Sequence, residues 1–317
     1  MEILFLALGL ALLLLGGEFA LRGAIGLARK VQVSTAVIGL TVMGFGTSAP
    51  ELVVTIQSVL TGNADIAVGN AIGSNIANTL LILGAGALVR PLTCDPRAVR
   101  RDGTVMLLVT ALLCGLGLMG GIVAWQGAIM LTLLVVFMLW SYMQDARNQD
   151  AVADLHEGVA DESNGIPQSA IVITIYIFGG FAGLAYGASL LVEAAVTIAE
   201  AAGVSQSIIG LTLVAFGTSL PELAATLVAA YRRHTDIAIA NVLGSNIFNI
   251  LGVLGAGALF GHLGFSEHIV SIDQWVMLGT AVILLPIMIT GWRVSRAEGA
   301  VLLLGYVAYI GSLTVRL

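Results

Sequence analysis

Charge is scarce in this sequence: 10% of its 317 residues are charged, against 58% hydrophobic. A soluble domain of ordinary composition carries about 25% charged side chains, so lipid must be the solvent for most of the chain. Cysteine is nearly absent. Cys94 falls in a polar loop and Cys114 inside an apolar stretch, which supports no disulfide framework. No G-x-x-x-x-G-K-S/T pattern occurs, so nucleotide hydrolysis is not the energy source. Histidines lie outside the polar motifs described below, and no Ser/His, Cys/His or metal-ligand arrangement supports an enzyme. The acidic stretch that contains Asp145, Asp150, Asp154, Glu157, Asp161 and Glu162 lacks the D-x-D/N-x-D/N-G spacing of an ion-binding loop and reads as a solvated connector.

Apolar stretches do fill the chain. A membrane-crossing helix needs about 20 mainly apolar residues, and ten such spans are predicted at 3–21, 34–60, 66–89, 103–120, 123–143, 169–199, 206–231, 237–260, 274–291 and 297–314. Before Glu18 the only charge is Glu2, so the first span lacks the basic leader of a secretory signal and reads as a retained helix. Short cytoplasmic loops retain Lys and Arg. Arg22, Arg29 and Lys30, then Arg90, Arg97, Arg100 and Arg101, then Arg147, Arg232, Arg233, Arg293 and Arg296 occupy every second loop, and only Arg316 lies on the other side. This places both termini outside a multi-pass plasma membrane protein (the inner membrane in a Gram-negative cell).

The chain also repeats itself. Residues 38–88 align without a gap on 209–259, at an offset of 171, with 28 of 51 positions identical. Each copy occupies the second and third spans of a five-span half. Five is odd, so the second half crosses in the opposite sense. The expected fold is an all-α integral membrane protein of ten transmembrane helices in two inverted five-helix repeats: residues 1–143, an acidic cytoplasmic linker at 144–168, and residues 169–317. Such repeats meet near the bilayer midplane, on interrupted helices that carry the substrate site. Gly46 with Pro50, and Gly217 with Pro221, mark the interruptions.

Glu51 and Glu222 are equivalent in the two copies and lie well inside apolar spans. A charge there costs at least about 2.5–3.5 kcal/mol, and the interiors of the four motif spans hold no Lys or Arg. The expected partner is an ion from solution, since two carboxylates neutralise one divalent cation. Hard cations prefer several oxygen ligands. Thr47 and Ser48 precede Glu51 by one turn, as Thr218 and Ser219 precede Glu222, which predicts a shared helix face. Ser74 with Asn78, and Ser245 with Asn249, share faces on the following spans. Thiols and imidazoles are missing from these segments, which argues against zinc, copper or iron.

Other polar positions have plainer readings. Taken singly, Ser74, Asn75, Ser245 and Asn246 suit interhelical packing, as do Gly69, Gly73, Gly84, Gly244, Gly252 and Gly255. Asp65 and Asp236 are expected as helix N-caps. Asn70 and Asn241 bind a neighbouring helix or line an entrance. Glu18, Arg22 and Glu193 anchor or pair at span ends, and His234 is expected in solvent with Arg232 and Arg233. The Gly16-Gly17 and Gly187-Ala188 pairs suit close contacts.

The segments GFGTSAPE with GNAIGSNIAN, and AFGTSLPE with ANVLGSNIFN, closely resemble the paired alpha repeats of the cation/calcium exchanger superfamily, above all its prokaryotic sodium/calcium exchanger branch. The resemblance implies a cluster of four cation sites at which Ca2+ and Na+ compete. It implies Glu51 and Glu222 as shared ligands with Asn78 and Asn249 beside them, and oxygens from Thr47, Ser48, Thr218 and Ser219. Gly44 and Ala215 would offer backbone carbonyls to flanking Na+ sites that Ser74 and Ser245 complete. Some members, including those that co-transport K+, carry aspartate where this chain has Asn249, so K+-independent, electrogenic exchange is expected. The resemblance also implies that the first and sixth spans slide across a fixed core. Na+ as counter-ion rests on the resemblance alone. Proton/Ca2+ exchange is the alternative, because close glutamates raise each other's proton affinity; a cation channel is a further one. The expected partners are thus Ca2+, Na+ or H+ and the lipid bilayer, with no resident cofactor, nucleic acid or obligate protein partner.

Overall fold

The structure, a computed structural model, describes residues 2–146, 165–201 and 215–314. It is an all-helical membrane fold. The helices are α1 (Glu2–Val31), α2 (Thr35–Thr47), α3 (Ala49–Leu60), α4 (Ala64–Val89), α5 (Pro96–Leu118), α6 (Ala124–Ala146), α7 (Ala170–Ala201), α8 (Ala215–Gly217), α9 (Leu220–Tyr231), α10 (Thr235–Phe260), α11 (Ile269–Trp292) and α12 (Arg296–Thr314). Among the described residues, seven helices are long and apolar enough to cross a membrane singly, and α2 with α3, bent by 42°, makes an eighth when the pair is counted as one span. The two remaining expected spans fall on α9, whose approach at 202–214 lies outside the described residues, and on α12. The expected linker lies outside the description over 147–164, as do alignment positions 209–214 and Arg316.

Burial sorts the helices into a core and a sheath. The most apolar window of α10 is 100% buried and that of α4 is 72% buried, whereas those of α1, α6, α7 and α11 are 28% buried. Helices α4 and α10 are therefore enclosed by protein, whereas α6 and α7 turn long apolar faces such as Leu133, Val136, Leu139, Ile171, Ile175 and Phe178 outward. That arrangement suits a lipid solvent.

α1 runs ten residues beyond its predicted end, closing on Arg29 and Lys30, where the helix dipole favours positive charge. It crosses α7 with almost no intervening side chains. A Cβ at Gly16 would lie 2.7 Å from the Leu184 nitrogen and 2.8 Å from the Gly180 oxygen, both backbone atoms. The expected close contact at the Gly16-Gly17 and Gly187-Ala188 pairs is present. A second crossing seats α2 on α10, where a Cβ at Gly44 would stand 2.9 Å from the Gly244 carbonyl carbon.

Several local expectations are corrected. Asp65 and Asp236 do not cap helices: Asn63 and His234 hold the cap positions, without a side-chain cap bond, and the aspartates lie in the first turn. There the dipole favours them, and Asp236 also accepts from the Thr35 hydroxyl of the other copy's helix. Asp145 is not part of a solvated linker. It is buried at the end of α6 and accepts from the Ser34 nitrogen at 2.5 Å and the Ser34 hydroxyl at 3.0 Å, tying α6 to the start of α2. Glu18 pairs with Arg22 at 2.6 Å and with Arg232 at 2.8 Å, so the open choice between anchoring and pairing resolves to pairing.

A two-stranded ladder, β1 (Leu92–Thr93) against β2 (Arg293–Val294), joins the ends of α4 and α11. Both cysteines are free and buried. Burial pushes the Cys94 thiol up to about 12, with Glu298 adding to the effect. The thiol rather than the thiolate is then present at pH 8. A maleimide is expected to leave Cys94 unlabelled in the folded protein and to label it after denaturation in SDS; fast labelling of the folded form, read by mass spectrometry, would contradict this.

Candidate functional site

Helix α2 ends at Thr47, and Ser48 (φ −83°, ψ 10°) breaks the chain before α3 begins. Ser219 (φ −90°, ψ 3°) does the same before α9. Pro50 and Pro221 lie in the first turn of the new helix, where a missing N–H removes no hydrogen bond. The prolines thus start helices rather than interrupt them. Glu51 and Glu222 follow in those first turns, where the positive end of the helix dipole favours a carboxylate. Both are fully buried. They lie close enough for their charges to interact.

The hydroxyls predicted to share a face with their own glutamate serve the opposite one. Ser48 Oγ donates to Glu222 Oε1 at 2.9 Å. Ser219 Oγ donates to Ser74 Oγ at 3.3 Å, and Ser74 Oγ donates to Glu51 Oε1 at 3.5 Å. The Thr218 side chain also lies beside Glu51, and that of Thr47 beside Glu222. The bend between α2 and α3 is the physical reason: it swings Ser48 off the face that a continuous helix would share with Glu51.

Thr47 Oγ1 donates to the Met43 carbonyl at 2.9 Å and stands 3.3 Å from Ser245 Oγ. It also lies 3.4 Å from Asn241 Oδ1, while Asn241 Nδ2 donates to Thr226 at 3.2 Å. Asn70 Oδ1 accepts from Thr218 at 3.3 Å. Asn70 and Asn241 therefore bind neighbouring helices. The Gly44 carbonyl already accepts from the Ser48 nitrogen at 3.3 Å. Ala215 opens α8, and its side chain lies outside the description.

Asn78 and Asn249 each begin a π-helical stretch, Asn78–Ile82 in α4 and Asn249–Leu254 in α10. Single π turns within α-helices recur at functional sites. Asn78 Nδ2 donates to Asn246 Oδ1 at 3.1 Å, and Asn249 Nδ2 donates to Asn75 Oδ1 at 3.1 Å. Taken singly, Asn75 and Asn246 suit packing, but across the two helices they bind the carboxamides of Asn249 and Asn78. The equivalence of the two copies was the available signal that they act as a pair.

Among the described residues seven buried side-chain oxygens have no hydrogen-bond partner; Thr55 Oγ1, Ser141 Oγ and Gln274 Oε1 are three, and the other four, Glu51 Oε2, Glu222 Oε2, Asn78 Oδ1 and Asn249 Oδ1, belong to the symmetric motif residues. Leaving a buried acceptor unsatisfied costs about 1–3 kcal/mol, more for a charged group. Among the described residues neither glutamate joins a salt bridge, and no cluster of three His, Cys, Asp or Glu exists. Acceptors without a protein donor, beside hydroxyls and amides, are the donor set of a hard cation. Two carboxylates set its charge.

A family model described as "Sodium/calcium exchanger protein" matches residues 1–143 and 172–315. Sodium/calcium exchanger MaX1 of Methanosarcina acetivorans is 32% identical over 339 residues, covering 97% of this chain and 97% of that protein. Inner membrane protein YrbG of Escherichia coli (strain K12) is 33% identical over 316 residues, covering 97% and 95%. Among solved structures, that of the sodium-calcium exchanger NCX_Mj soaked with 10 mM Na+ and zero Ca2+ matches with a TM-score of 0.84 at 32% identity, over 98% of each chain.

Proposed function

The chain belongs to the sodium/calcium exchanger protein family, and from that premise we propose that it exchanges Ca2+ for Na+ by alternating access, electrogenically and without K+. At the coarser level it is a multi-pass membrane antiporter of cations and Ca2+, a transporter and not an enzyme. The observation that carries the cation site is the group of partnerless oxygens on Glu51, Glu222, Asn78 and Asn249; the choice of Na+ rests on the family.

Glu51 and Glu222 ligate Ca2+ and Na+ in turn, with Asn78 and Asn249 supplying amide oxygens. Thr47, Ser48, Thr218, Ser219, Ser74 and Ser245 supply hydroxyl or carbonyl oxygens, and the carbonyls of Gly44 and Ala215 complete flanking Na+ sites. Because both ions need the same carboxylates, their occupancies exclude one another, and that competition couples the fluxes. Two carboxylates balance one Ca2+, whereas several Na+ leave net positive charge, so the cycle moves charge.

The ten-span arrangement as two inverted five-helix halves, 1–143 and 169–317 about a cytoplasmic linker at 144–168, lets the halves trade conformations. Both termini lie outside the plasma membrane. Proton exchange is the second reading: a pair of buried, interacting carboxylates also suits a proton carrier.

One experiment separates these. In proteoliposomes, Ca2+ uptake is expected under an outward Na+ gradient, with a measurable current, and not under an outward H+ gradient at matched potential. Uptake driven by H+ alone would overturn the choice of Na+, and exchange without current would overturn electrogenicity. Flux that ignores every counter-gradient would indicate a channel.

A further inference from the structure

A carboxamide presents an oxygen on one side and an NH2 group on the other, with nearly the same shape. Asn78 and Asn249 serve a cation only when the oxygen faces it, so some other group must set their orientation. The groups that do so can be traced outward from the site to acceptors that have no proton to give.

The Asn75 Nδ2 group donates to the Asn246 backbone oxygen at 3.2 Å and to Met277 Sδ at 3.9 Å. A carbonyl and a thioether only accept, so Asn75 must turn its NH2 toward them and its Oδ1 away. That Oδ1 accepts from Asn249 Nδ2 at 3.1 Å, which occupies the amino side of Asn249 and leaves its Oδ1 without a partner. The second copy repeats the logic. Asn246 Nδ2 donates to Thr79 Oγ1 at 3.1 Å and to Met106 Sδ at 3.5 Å. Asn246 Oδ1 accepts from Asn78 Nδ2 at 3.1 Å, and the Asn78 Oδ1 is left without a partner.

Met106 lies on α5 and Met277 on α11, both buried, and they stand at the same offset of 171 as Asn75 and Asn246. Neither outer helix contributes a proposed ligand. Reversing Asn75 would set its NH2 against the Asn249 NH2 and its oxygen against a carbonyl and a thioether; reversing Asn246 would set its NH2 against the Asn78 NH2 and its oxygen against the Met106 thioether, with the Thr79 hydroxyl alone able to donate to it.

We infer that Asn75 and Asn246, backed by Met277 and Met106, are positioning residues that hold the Asn249 and Asn78 carboxamides oxygen-first toward the transported cation. This deepens the cation site proposed above and rests on it. Loss of outer-shell partners of this kind typically weakens metal binding about 10–100-fold.

The test exploits the symmetry of a carboxylate, which presents an oxygen whichever way it turns and needs no orienting partner. Binding of 45Ca2+ to detergent-solubilised full-length protein is measured for Asn75→Ala in the wild-type background and in an Asn249→Asp background. The first is expected to weaken binding about 10–100-fold, and the second less than about threefold, because the two changes act through one contact and do not add. Equal weakening in both backgrounds would mean a general packing role and overturn the inference, as would no weakening in the wild type. Should Asn75→Ala not yield folded protein, Met277→Leu removes the thioether acceptor at similar volume. Its weakening must likewise vanish with Asn249→Asp, and persistence there overturns the inference. A wild-type protein that binds no 45Ca2+ removes the proposed function as well, whereas wild-type binding with background-independent loss removes only the orienting role.

Discussion

Glu51→Gln and Glu222→Gln are each expected to lower Na+-driven Ca2+ uptake by at least about 100-fold, while leaving the folded protein intact. Glutamine keeps the shape of glutamate, but it removes one of the two site charges and puts an NH2 group where an oxygen was. Removing one partner of a buried charge pair costs about 3–5 kcal/mol, and each 1.4 kcal/mol is about tenfold in an equilibrium constant. The sign of the stability effect sets this apart from simple damage. In ion-free detergent the variants should melt no lower than wild type, because a buried carboxylate is costly without its cation and a neutral amide is less so. Added Ca2+ should raise the wild-type Tm, through binding to the folded state alone, and leave the variants unmoved. Proteoliposome uptake and thermal melts read the two halves of the result. Wild-type uptake in either variant would place the site elsewhere.

Gly16→Val is expected to be strongly disruptive although it lies outside the site. The added Cβ would sit 2.7 Å from the Leu184 nitrogen and 2.8 Å from the Gly180 oxygen. Backbone cannot step aside as a side chain can, so α1 and α7 must separate along their length. Overpacking of a tight interior costs about 1–3 kcal/mol and occasionally more. That corresponds to a fall in Tm of about 2–8 °C in a chain this large. The crossing also borders the site helices, because a Cβ at the neighbouring Gly17 would lie 3.1 Å from the Val228 methyl on α9. Gly179→Ala, with nothing within 4 Å of the new methyl, is the matched control and should melt as wild type. Equal melting temperatures for Gly16→Val and the control would show that the crossing is not close-packed.

How legible the molecule was depends on whether a feature is local to one copy. Glu51 and Glu222 could be singled out because an acid inside an apolar span is costly wherever the span packs. The helix breaks could be read because Gly and Pro act on their own turn of backbone. Asp145 could not be placed: its partner, Ser34, is 111 residues away, and composition alone assigned it to the polar stretch that follows. The hydroxyls were assigned to the wrong carboxylate for a similar reason. Spacing along one helix puts Ser48 beside Glu51, and only the bend at Ser48 and the packing of the two copies carry it to Glu222. Asn75 and Asn246 were visible as residues but not as a pair, since the bonds that matter join α4 to α10.

The crossing of hydroxyls between copies also bears on what one copy could do alone. A single copy of the motif holds a carboxylate but not the hydroxyl set that meets it: Ser48 reaches Glu222, while Ser219 reaches Glu51 through Ser74. One copy alone is half a binding site in chemistry as well as in charge. An isolated copy could complete this hydroxyl set only against a second copy packed on it in the opposite sense.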